Sequence, residues 1–198
     1  MQQRSEETRN HLLTAAQRLF SQKGYDAASV ADICTEAGVS KGAFYHHFDS
    51  KQALFLHLLE IWLKQMDQNF QSLRHTSPDV PSAIINMGRL AGGLMQAADV
   101  RDALFLEFWS QAQRDPVVWQ AAIAPYQRYL DYFTEMLQQG ITEGSLRPVD
   151  PRAAARMLLA LALGTLMQGL FNPRGADWAE ETAQAVGYLM DGLARRQV

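Results

Sequence analysis

Between Ser29 and Phe48 the chain reads Ser-Val-Ala-Asp-Ile-Cys-Thr-Glu-Ala-Gly-Val-Ser-Lys-Gly-Ala-Phe-Tyr-His-His-Phe, and little freedom is left in how such a stretch folds. Ser29 followed three residues later by Asp32 predicts a capped helix start. The pair can satisfy orphan N–H groups, and the carboxylate suits the positive end of the helix dipole. Gly38 stands where that helix must stop in a left-handed conformation, which costs glycine little. Ser40 is then placed to cap a second, short helix. Val39 before it and Phe44 four residues after it form a hydrophobic staple that sets the angle of departure. Two helices joined in this way make a helix-turn-helix.

The faces of the second helix extend the reading. Phe44 and Phe48 lie four apart and are expected to point inward with Ile33 and Val39. Lys41, Gly42, Ala43, Tyr45 and His46 remain on the other side. Small residues allow close approach, a lysine suits phosphate, and flat polar side chains suit base edges or sugar–phosphate. Ser29, Ser40 and Lys51 flank this face and complete the expected DNA-contact set. Residues from about Thr8 to Leu59 resemble the DNA-binding domain of the TetR family of transcriptional regulators. The run Ala37 to Phe48, followed by Ser50-Lys-Gln-Ala-Leu54, is similar to that family's signature. Three positions depart from it: Ser29 where threonine is common, Ala43 where threonine or serine is common, and Cys34 where alanine is common. Ala43 removes a hydroxyl that could contact DNA.

Charge needs a closer look, because DNA is the expected partner. Residues 1–60 hold six Lys and Arg (Arg4, Arg9, Arg18, Lys23, Lys41, Lys51) against seven acids, for a sum of −1. Binding depends on the local field rather than the sum, so Lys41, Lys51, Arg4 and Arg9 could share one face. The single cysteine, Cys34, permits no internal disulfide and fits a reducing compartment. With no apolar leader or membrane-length apolar run, the expected location is cytoplasmic.

The remainder reads as helix without strand alternation, so the expected class is all-α. A helix-turn-helix domain over 1–49 would precede a helical effector-binding and dimerisation domain over 50–198. Helices are expected at 6–23, 50–73, 82–97, 101–113, 117–122, 125–139, 151–171 and 177–195. Asp150 before Pro151, and Asp177 before Glu180, are start signals.

The run Met157 to Met167 is apolar almost all round and must be covered on several sides. Ala160, Gly164 and Gln168 form a small-residue ridge. Either this is an internal core helix, or residues 151–171 and 177–195 pack on their symmetry mates as a four-helix bundle. The TetR resemblance implies the second, with Ala160, Gly164, Met167, Gln168, Phe171, Val186, Leu189 and Leu193 at the interface of a homodimer.

The middle helices carry many large adaptable side chains, most of which a core alone would explain. The resemblance implies an effector pocket in this region, for which Trp62, Met66, Met87, Phe105, Phe108, Trp109, Tyr126, Tyr129 and Phe133 are candidates. Glu107 would favour a cationic, aromatic-stacking ligand if it faces the cavity, and otherwise reads as a solvated or ion-paired surface residue. Arg89 and Arg156 would favour an anionic ligand or form interhelical salt bridges.

No catalytic triad, phosphate loop or histidine pair at metal-binding spacing is present in the sequence, so neither enzyme activity, metal nor cofactor is expected. The resemblance implies a repressor that binds double-stranded DNA at a palindromic operator and is released by an unidentified small molecule. The alternative is an all-α small-molecule-binding protein or enzyme in which the helix-turn-helix is incidental.

Overall fold

The computed structural model describes residues 2–96, 110–172 and 174–194. Among these residues the fold is all-α, with no strand beyond one isolated bridge between Leu146 and Ala194. Eight helices are described: α1 (Gln2–Lys23), α2 (Val30–Ala37), α3 (Lys41–His47), α4 (Lys51–Thr76), α5 (Val80–Gln96), α6 (Pro116–Glu143), α7 (Pro151–Phe171) and α8 (Trp178–Leu193). No helix among the described residues is long and apolar enough to cross a membrane. The expected helix at 101–113 lies largely outside the described residues.

One expected break is absent. Separate helices are expected at 117–122 and 125–139, yet α6 is continuous across the gap and carries Pro125 in its interior. An interior proline removes one backbone hydrogen bond and crowds the preceding turn. Side-chain burial on both sides outweighs that loss, with Val118 buried before it and Leu130, Phe133 and Leu137 after it. Gly144, at φ 84°, follows the end of the helix.

The chain divides into two compact units, Met1–Gln65 with Asp99–Ala122 and Met66–Ala98 with Ile123–Val198. In the first, Leu12, Ala16 and Phe20 of α1 close over Ile33, Phe44, Phe48, Leu54 and Phe55. Phe20 meets Phe55 edge-on at 5.5 Å, and Tyr25 lies 4.7 Å from Phe55 between ring centres. Ala112 and Val118 belong to this same core. Gln52 donates to Asp115 at 2.7 Å and Gln111 to Asp26 at 3.2 Å, so polar contacts fasten the same segment.

In the second unit α5 and α8 are in close contact. A β-carbon at Gly88 would come within 2.9 Å of Val186 Cγ2, and one at Gly92 within 2.6 Å of Thr182 Oγ1. Across this seam Arg89 makes a two-pronged bond to Glu180, both N···O distances being 3.0 Å. Arg89 is therefore an interhelical salt bridge, the simpler of its two sequence readings. The end of α8 is tied back to the α6–α7 connector, where Arg147 N donates to Leu193 O at 2.9 Å.

Candidate nucleic-acid interface

The helix-turn-helix is built by local hydrogen bonds. Ser29 Oγ accepts from Asp32 N at 3.1 Å while Asp32 Oδ2 accepts from Ser29 N at 2.9 Å, a closed capping box. The Ser29 hydroxyl also donates to Asp32 at 2.8 Å, and Lys23 reaches the same carboxylate at 2.9 Å. The Ser29 N–H, then Lys23 and the Ser29 hydroxyl, hold the Asp32 carboxyl well below the usual carboxylate range. Gly38 takes the left-handed conformation at φ 67°, with its N–H on Thr35 O and the N–H of Val39 on Cys34 O. Ser40 Oγ accepts from Ala43 N at 3.1 Å and keeps its own proton to donate.

These caps aim α3. Phe44 is fully buried, its ring tilted against that of Phe48 with centres 6.0 Å apart, and Val39 packs half-buried against the same core. Lys41, Gly42, Tyr45 and His46 are left exposed, and Ala43 is half-buried. Tyr45 has 55% of its surface in solvent, which is unusual for a large ring with an apolar neighbour available. A β-carbon at Gly42 would meet only Ser40 Oγ, at 3.7 Å. Packing within the chain therefore does not require glycine at a position where alanine would favour the helix by about 1 kcal/mol.

Several acids near this face are already answered. Asp32 pairs with Lys23, Glu36 with Arg18 at 3.0 Å and Asp26 with Arg114 at 3.6 Å. Among the described residues Lys41 makes no ion pair. Its charge is directed outward.

Two basic residues expected at DNA are placed otherwise. Lys51 donates to Tyr25 O at 2.8 Å and Ala28 O at 3.0 Å, and its ammonium sits 4.0 Å from the centre of the Tyr25 ring. It holds the α1–α2 loop instead of projecting as a clamp. Arg9 bonds His57 Nε2 at 2.8 Å, and His57 Nδ1 bonds Glu60 Oε2 at 2.9 Å. Arg9, His57 and Glu60 thus form one chain through the two ring nitrogens, and Arg9 is held within its own unit. The Arg4 side chain lies outside the described part. Ser29 is exposed, but its hydroxyl proton is already given to Asp32. His47 is half-buried, and burial first, then His46 and Arg9, lower its pKa. Cys34 is buried, and burial raises its thiol pKa against the opposing pull of Lys41.

Residues 12–58 match the family model of bacterial regulatory proteins of the TetR family, and residues 94–196 match that of the BetI-type transcriptional repressor C-terminal region. The chain belongs to the TetR family. It is a DNA-binding transcriptional regulator of a family that is not enzymatic. The HTH-type transcriptional regulator YfiR of Bacillus subtilis (strain 168) is 29% identical over 182 residues, 90% of this chain and 88% of its own. The solved structure of SCO4454, a TetR-family regulator from Streptomyces coelicolor, is similar with TM-score 0.81 and 25% identity. It covers 96% of this chain and 97% of its own. A transcriptional regulator from Saccharomonospora viridis, solved with choline, has TM-score 0.80 at 22% identity over 96% of this chain and 100% of its own.

Within this TetR-family chain the expected pocket residues are scattered. Met66, Met87 and Phe133 are core, Trp62 is half-buried in the first unit, and Tyr126 is exposed. Phe105, Phe108 and Trp109, with Glu107, lie outside the described residues. Tyr129 does line a cavity, together with Phe70, another of the large side chains of the middle helices, and with Asp67, Gln71, Arg128 and Tyr132, which the sequence pattern did not single out.

The expected interface residues divide in two. Val186 and Leu193 are buried within their own chain, Val186 against Gly88 of α5, and so are not on an outer face. Ala160, Gln168 and Phe171 are exposed, while Gly164, Met167 and Leu189 are half-buried. Met157, Leu163 and Tyr188 join the exposed set, and Phe171 leaves 85% of its surface in solvent. Their apolar character was visible in sequence, but which side of each helix α5 covers was not.

Proposed function

We propose that this regulator acts as a homodimer that reads a palindromic operator with α3 and represses transcription until a small molecule releases it. The observation that carries the reading is the outer face of α3. Lys41, Gly42, Tyr45 and His46 stand exposed on a helix whose inner face is locked by Phe44. Lys41 and the Ser40 hydroxyl would bind phosphate, and Tyr45 and His46 would contact base edges or sugar–phosphate. Gly42 and Ala43 would permit close approach. Lys51 and Ser29 would act by positioning: one holds the α1–α2 loop, the other the start of α2.

Dimerisation would cover Met157, Ala160, Leu163, Gly164, Phe171 and Tyr188, an apolar surface of a kind that monomers seldom leave open. Two α3 helices related by the dimer axis would then enter successive major grooves. An effector held among the helices of residues 50–198 would release DNA to the extent that it prefers the unbound conformation.

The test is selection of genomic fragments by the purified protein at two salt concentrations, followed by sequencing. Recovery of an inverted repeat with steep salt dependence is the expected result. Enrichment of a single asymmetric site, or binding indifferent to salt, would refute the dimeric reader.

A further inference from the structure

The last two helices carry charge of opposite sign. α7 contains Arg152 and Arg156 and no acidic residue, whereas α8 contains Glu180, Glu181 and Asp191 and no basic one. Part of this charge is answered inside the chain by other helices. Arg152 reaches Asp131 of α6 at 2.8 Å, and Glu180 holds Arg89 of α5. Among the described residues Arg156, Glu181 and Asp191 enter no ion pair, and all three are exposed.

Their spacing puts them in the path of a partner. On α7, Arg156, Ala160, Leu163 and Met167 recur at intervals of four, three and four, which lines them along one face. The first three are exposed and Met167 is half-buried. On α8, Glu181, Gln184, Tyr188 and Asp191 recur at three, four and three, and all four are exposed. One line is apolar with a cation at its start. The other is polar with an acid at each end.

Charge then decides how two copies can meet. In a two-fold contact each subunit offers the same surface to the other. If α7 met only the partner's α7, each Arg156 would be covered by a helix without a carboxylate, and the guanidinium would lose hydration with no counter-ion. If α8 met only the partner's α8, acids would face acids. Laying α7 against the partner's α8 joins unlike charges, and the symmetry makes that contact twice. We propose that a second copy of this chain docks in this crossed arrangement, with Arg156 of each subunit paired to the acids of the partner's α8. The inference rests on the homodimer reading above and adds the charges that select a like chain as partner.

Two oppositely altered full-length proteins test it: Arg156→Glu, and Glu181→Arg combined with Asp191→Arg. Either one alone places like charges across both copies of the contact. Its dimer dissociation constant, read by sedimentation, should rise at least about ten-fold. Mixed in equal amounts the two should form a heterodimer of near wild-type affinity, because each contact then joins opposite charges. Native mass spectrometry distinguishes that species from the homodimers, and its formation excludes misfolding as the cause of the losses. An Arg156→Glu dimer as tight as wild type, or a mixture without heterodimer, would overturn the pairing and leave the homodimer standing. A wild-type chain that sediments as a monomer at every concentration would refute the homodimer reading and the pairing with it.

Discussion

Gly164→Ala puts the proposed dimer seam to a quantitative test. Within one chain a β-carbon at Gly164 meets no atom within 4 Å, so the substitution is free of internal clashes. If that face met only water, alanine would stabilise α7 by about 1 kcal/mol through helix propensity, raising Tm by roughly 3 °C in a chain of this size. If a partner helix crosses at Gly164, the added methyl group overpacks the contact in both subunits. At about 1 kcal/mol or more per copy, the dimer weakens by about 2 kcal/mol or more, and its dissociation constant rises at least roughly 30-fold. Sedimentation across a concentration series reads that change, and thermal unfolding in the same series reads the propensity gain. Gly92→Ala is the internal control. Its β-carbon would run into the Trp178 carbonyl and within 2.6 Å of Thr182 Oγ1, backbone and buried side chain that cannot turn away. A loss of about 1–3 kcal/mol at every concentration is expected there. A Gly164→Ala protein with higher Tm and an unchanged dimer would remove Gly164 from any close helix contact.

Three further outcomes follow from the DNA-reading unit. Lys41→Ala should weaken binding about equally for all sequences and flatten the salt slope by about one, measured by titration at several salt concentrations; a change confined to one base pair would refute a phosphate role. Tyr45→Ala should preserve the circular dichroism spectrum and unfolding midpoint while reducing operator affinity, because the ring is half in solvent; loss of fold would make it a core residue. The Asp32 carboxyl is held below its ordinary range by bonds made in the folded state. Its contribution is therefore complete above the usual carboxylate pKa and fades as pH falls below it. Acid titration of Asp32→Asn should accordingly show a flatter decline of stability than wild type, and parallel curves would exclude the effect.

The parts of this molecule legible in sequence are those made by neighbours along the chain. The Ser29–Asp32 box, the Gly38 stop, the Ser40 cap and the Phe44 inward face are each made by residues within about five positions along the chain, where composition carries the physics. Long-range choices left no such trace. Lysine next to a turn looks ready for phosphate, and only the position of the Tyr25 and Ala28 carbonyls, more than twenty residues earlier, reassigns Lys51. The apolar stripe of α8 was plain, yet whether Val186 met a partner or its own α5 depended on Gly88 and Gly92 letting the two helices approach. Likewise, nothing local marked Gln111, Asp115 and Val118 as belonging with the helix-turn-helix. Candidate pocket aromatics were too numerous to sort by type, and of the nine candidates only Tyr129 lines the described cavity, facing Phe70 and beside Tyr132.

The contrast between two lysines ten positions apart has a practical use. Lys41 is exposed, whereas Lys51 is half-buried with its ammonium against two carbonyls and a ring. An amine-acylating reagent needs a deprotonated, accessible nitrogen, so the two should be labelled at very different rates. Occupancy of the groove would then register as a slowing at Lys41 alone. Modification of Lys51 would instead report transient opening of the loop after α1, giving a mass spectrometrist a built-in clock for local unfolding beside a footprint of the bound nucleic acid.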